Sequence, residues 1–131
     1  MIKEAYCSFE VCKLLREKGF DEPCRSYFTD GTDYCYCTYD CDERTDINLG
    51  VFEYLRPTHQ MVMAWLREKY KIMITIIPQE VSVGVDRMCY CIYRITEDLY
   101  QLLCNGKIDN LVDSYEETVE AALKYCLERL I

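Results

Sequence analysis

Three cysteines fall within seven residues at CYCTYDC, Cys35 to Cys41, and a second C-x-C follows at Cys89 and Cys91. The chain holds ten cysteines in 131 residues. Thiols at this density suit a thiolate-bound metal, a disulfide framework, or a core that uses cysteine as a small hydrophobe. Residues two apart on a strand share a face. Cys35, Cys37, Tyr39 and Cys41 therefore share one side of their strand, and Cys89, Cys91, Tyr93 and Ile95 share one side of theirs. If the two strands are neighbours with these faces aligned, Cys35, Cys37, Cys89 and Cys91 make a four-thiolate set of the kind that holds zinc. The spacing favours core packing instead. Zinc sites usually carry two cysteines on a turn, which brings both sulfurs to one ion, whereas C-x-C along a flat strand holds them apart. Cys12 and Cys126 fall on apolar helix stripes, as core cysteines do.

His59 is the single histidine. It follows a capping threonine, Thr58, and reads as an exposed residue of a helix's first turn. A nucleophilic Cys–His pair needs the two groups within hydrogen-bond reach, and the sequence places no particular cysteine beside it. The run DCDERTDIN, Asp40 to Asn48, resembles a calcium loop only superficially. Its sixth position is Thr45 and its twelfth Val51, where the loop needs Gly and a bidentate Glu. The five glycines are dispersed, with no phosphate-cradling pattern.

Twelve tyrosines are many for this length. Tyr34, Tyr36 and Tyr90 alternate with the cysteines and take the opposite strand face. Left open, such a face is a protein-binding surface; the alternative is that helices cover it.

These residues must be positioned by a few regular elements. A first helix begins at the N-cap Ser8, buries Val11, Cys12 and Leu15, and ends at Gly19, with Phe20 folding back onto Leu15. A second begins at Thr58 after Pro57, with Met61, Val62, Trp65 and Leu66 in one stripe. A third begins at the capping box Ser114 to Glu117 and runs to the C-terminus through Val119, Ala122, Leu123, Cys126, Leu127 and Leu130. RSYFT and DYCYCTYD flank the turn signal Asp30-Gly31. KIMITIIP and GVDRMCYCIYRI read as a second strand pair, and Cys41 to Gly50 as a polar loop. Between Thr96 and Asp113, Leu99, Leu102 and Leu103 suggest a short helix, with a hairpin at Asn105-Gly106 as the alternative. The expected fold is α+β and a single domain over residues 1–131: a mainly antiparallel sheet of about four strands and three main helices, in the order α-β-β-α-β-β-α, with the helices on one face. LREK recurs at Leu15 to Lys18 and Leu66 to Lys69, each before a strand pair, which reads as reuse of helix-surface residues rather than duplication.

The net charge is −8, and the basic residues alternate with acids along helices, so nucleic-acid binding is disfavoured. The first twenty residues lack an apolar signal core, and the longest apolar run, Ile72 to Ile77, is strand-sized rather than membrane-spanning. The expectation is a cytoplasmic protein with reduced thiols.

At KGFDEPC (Lys18 to Cys24), PTHQMVMAWLREKYKI (Pro57 to Ile72) and SYEETVEAALKYCLERLI (Ser114 to Ile131) the chain resembles short proteins encoded by phages, prophages and conjugative elements of anaerobic gut bacteria. The motifs occur in this order and span most of the chain; both CYC stretches lie outside them. The resemblance implies an intracellular accessory protein of a mobile element with an α+β fold, and transfers no ligand or catalytic residue. Three functions follow, in order: a non-enzymatic protein working through a protein partner or a second copy of itself, a small zinc-binding protein using the paired C-x-C strands, and a Cys-dependent enzyme using His59.

Overall fold

A computed structural model describes residues 4–30, 36–44, 53–82, 85–97, 99–105 and 115–131. The fold is α+β. Among the described residues there are three α-helices and six strands, arranged in two three-stranded antiparallel sheets. Each strand pair expected from the sequence is present and has gained a third strand. The chain divides into two compact units, Met1–His59 with Leu127–Ile131, and Gln60–Cys126. No helix among the described residues is long and apolar enough to cross a membrane.

The first unit opens with α1 (Phe9–Glu17). Ser8 caps it, its hydroxyl accepting from the Val11 amide at 3.3 Å, which satisfies an otherwise orphaned donor. The helix stops at Gly19, whose φ of +79° is the left-handed conformation that glycine adopts without strain. The Phe20 amide then donates to the Leu15 carbonyl at 3.0 Å and the Gly19 amide to Arg16 at 3.2 Å, as expected for this ending. Phe20 and Leu15 are both buried. Strand β1 (Cys24–Asp30) pairs with β2 (Tyr36–Arg44) on one side and with β3 (Glu53–Leu55) on the other. Cys24, Ser26 and Phe28 alternate into the interior. Phe9 of α1 meets Phe28 and Tyr54 edge-on, at centroid distances of 5.4 and 5.5 Å. Arg16 donates to the Glu53 carbonyl and lies over the Tyr54 ring, fastening α1 to β3. Lys18 donates to the Ile131 carbonyl at 2.9 Å, holding the chain's last residue to the end of α1.

The second unit is built on β4 (Ile72–Ser82), β5 (Val85–Ile95) and β6 (Tyr100–Asn105), which follow one another as a meander with β5 central. Helix α2 (His59–Tyr70) leads into it and buries Val62, Met63, Trp65 and Leu66. It ends at Lys71, a non-glycine residue with φ of +58°. Helix α3 (Tyr115–Tyr125) packs across β4 and β5, and its last turn, Cys126–Leu130, opens into a π-helix. The capping serine expected for α3, Ser114, lies outside the described residues. Ile72, Ile74, Tyr90 and Ile92 face α3 and are buried with Val119, Ala122, Leu123 and Cys126.

Two segments differ from the sequence expectation. Of the polar loop expected over Cys41 to Gly50, Cys41 to Arg44 instead continue β2, and residues 45–50 lie outside the described residues. Tyr100–Asn105 is a strand, not a helix, and joins β5 through a turn closed by hydrogen bonds between Thr96 and Leu99. The ladder slips between Ile92 and Tyr93, so β6 carries a bulge at Leu103. That extra residue breaks strand alternation and leaves Leu99, Leu102 and Leu103 at a spacing that imitates a helix.

Candidate functional site

The four cysteines proposed to meet at zinc do not lie on neighbouring strands. Cys37 is on β2, whose partner is β1, while Cys89 and Cys91 are on β5, between β4 and β6. Cys35 lies outside the described residues, and Cys37 is placed by its register with Thr29. Cys89 and Cys91 share a strand face and are buried. Burial, then the charge of Cys91, pushes the Cys89 thiol up. Cys91 lies beside Tyr93, and its charge and hydrogen bond raise the phenol. Cys12 and Cys126 are buried on their helix stripes as expected. Burial, then Cys104, pushes the Cys126 thiol up to about 12. At that value it stays protonated at neutral pH and behaves as a hydrophobe rather than a nucleophile.

The tyrosines expected on a binding surface fare differently from one another. Tyr34 lies outside the described residues, and Tyr36 pairs with Asp30 on β2. Tyr90 is buried: α3 covers its side of the sheet, and the phenol sits near Cys104, Tyr125 and Cys126. It is therefore a core residue, and burial is the first cause raising its pKa.

The opposite face of the same sheet carries Met73 and Thr75 on β4, Tyr93 on β5, and Tyr100 and Leu102 on β6. Met73, Thr75, Tyr93 and Tyr100 line a shallow hollow of about 290 Å³. Beside it the chain leaves large apolar groups in water: Leu99 is 73% exposed, Tyr100 74% and Leu102 50%. Ile77 on β4 is exposed too. Among the described residues β6 pairs only with β5, so its outer edge presents backbone donors and acceptors. Its sequence, YQLLCN, carries none of the charges that usually guard such an edge.

Comparison of the chain with family models, with curated proteins and with solved structures finds no match.

A second constellation lies in the first unit. His59 is buried rather than exposed, at 5%, and Cys7 is buried at 2%. The Cys7 sulfur and an imidazole nitrogen of His59 lie within 4.8 Å of each other. A short antiparallel clamp places them: Tyr6 bridges Thr58, the Cys7 amide donates to Pro57 at 2.9 Å, and the His59 amide donates to Ala5 at 2.9 Å. The Cys12 thiol reaches back to the Cys7 carbonyl at 3.8 Å. Next to the clamp, the Arg56 guanidinium stacks on Tyr6 at 4.1 Å and donates to the Ser26 hydroxyl at 3.2 Å. Neither the pairing of Cys7 with His59 nor the open edge was visible in the sequence. The nearest signal for the first is that both residues adjoin helix starts, Ser8 and Thr58.

Proposed function

We propose that the protein is a non-enzymatic binding protein, an accessory factor of a mobile genetic element, that engages a partner protein through the open face and outer edge of the β4-β5-β6 sheet. One observation carries this: Tyr100 and Leu102 on an uncharged edge strand, and Leu99 in the turn just before it, stand largely in water, while the other face of the same sheet is packed beneath α3. Contiguous exposed apolar groups cost solvation free energy in the isolated chain and are recovered when a partner covers them. An extended partner segment adding to β6 would pair its backbone with the free edge and seat side chains in the hollow beside Tyr100. The net charge of −8 favours a partner whose rim is basic. The resemblance to mobile-element proteins at Lys18 to Cys24, Pro57 to Ile72 and Ser114 to Ile131 is what suggests the accessory role.

The test is affinity capture from the native host with the wild-type chain, with Tyr100→Lys/Leu102→Lys, and with Tyr115→Lys as an exposed aromatic control. The same partner should be retained by the wild type and the control and lost from the double variant. Sedimentation of the purified chain separates a second copy from a foreign partner. Equal retention by all three chains would exclude this surface.

A further inference from the structure

We propose that Cys7 and His59 form a two-coordinate seat for one Cu⁺ ion inside the first unit. Five observations converge. A thiolate sulfur and an imidazole nitrogen are a ligand pair that Cu⁺ accepts. With bonds of about 2 Å to sulfur and to nitrogen, a linear two-coordinate ion holds the two atoms about 4 Å apart. The observed separation is within 4.8 Å.

The pair is also held in advance. The Tyr6–Thr58 bridge and its two flanking amide bonds fix the backbone on either side, so little ordering remains when an ion arrives. Exposures of 2% and 5% keep bulk water from competing for the ion. Finally, the chain spends its only histidine here, at a position where a first-turn residue is ordinarily in solvent. Binding exchanges one proton for the ion: the S–H bond of Cys7 breaks, a sulfur–metal bond forms, and the proton leaves to solvent. His59 donates a neutral nitrogen lone pair. This seat is separate from the β6 surface and does not depend on the partner proposed for it.

The full chain, purified without chelator, is loaded separately with Zn²⁺ and, anaerobically, with Cu⁺, then read by native mass spectrometry after buffer exchange. One retained equivalent of Cu⁺ is expected, with no Zn²⁺ retained; retention of Zn²⁺ alone overturns the two-coordinate seat. Affinity should fall at least about tenfold in Cys7→Ser and in His59→Gln, and should be unchanged in Cys89→Ser/Cys91→Ser. No retained ion in the wild type, or retention undiminished in both single variants, overturns the proposal. Should Cys7→Ser not fold, copper-edge X-ray absorption of the wild-type Cu⁺ complex decides. One sulfur and one nitrogen ligand support the seat; any other ligand set overturns it.

Discussion

The two sheets are fed by the same run of elements, a helix and then three strands, yet they dispose of their surfaces in opposite ways. In the first unit the opening strand, β1, becomes the centre, because β3 returns to its free side. In the second unit the strands simply meander, and the last one, β6, is left at an edge. LREK ends both α1 and α2, but the differing strand order makes the second half something other than a copy of the first. Among the described residues the first unit buries Ser26, Thr58 and His59 where the second buries Thr118, and the second leaves Ile77, Leu99, Tyr100, Leu102 and Tyr115 exposed where the first leaves Tyr6. Burying polar groups is costly unless they are bonded, and exposing apolar ones is costly unless they are covered. The two units thus offer different things: an inward-facing polar pair in the first and an outward-facing apolar surface in the second.

Truncations within the two interiors should have the largest effects. Phe20→Ala in the first unit and Ile92→Ala in the second each remove a buried side chain and should cost about 2–5 kcal/mol by urea unfolding. A loss under about 1 kcal/mol at either site would mean that this interior is not packed as described.

Alkaline pH should act mainly through thiols and phenols held protonated in the second unit. Cys126 titrates near 9 when unfolded and at about 12 when folded, so its contribution is complete below pH 9 and is lost as pH rises toward 12. Between pH 8 and 10.5 the wild type should lose about 2 kcal/mol more than Cys126→Ala. Parallel curves for the two would refute the burial of this thiol.

Arg56→Met removes a stacked cation and a hydrogen bond to Ser26 beside the clamp, and should cost about 1–2 kcal/mol. Lys71→Gly should instead stabilise by about 0.5–1 kcal/mol, because the left-handed conformation at the end of α2 strains a lysine but not a glycine. The smallest effect belongs to the open face: Tyr100→Lys/Leu102→Lys should shift stability by no more than about 0.5 kcal/mol. A larger loss would show that these side chains serve the fold.

What the sequence made legible was local. Ser8, Gly19 and Phe20 bound α1 through contacts within a few residues, and each behaves as its type predicts. The alternation in β4 and β5 likewise reports two distinct sheet faces. It could not say which face α3 would cover, so Tyr90 read as surface while Tyr100 went unnoticed. The bulge at Leu103 disguised β6, and three-residue β3 is too short for any period to show. The Cys7–His59 pair depends on a bridge between Tyr6 and Thr58, segments far apart in the chain.

The claim that the outward-facing surface of the second unit is where the protein works is tested most directly by site-specific photocrosslinking in the native host. A photoreactive phenylalanine analogue would replace Tyr100 and, in separate chains, the less exposed Tyr6 and Tyr115. A discrete protein adduct from position 100 alone, abolished by Leu102→Lys, is the expected result. No adduct at position 100, or equal adducts from all three positions, would contradict it.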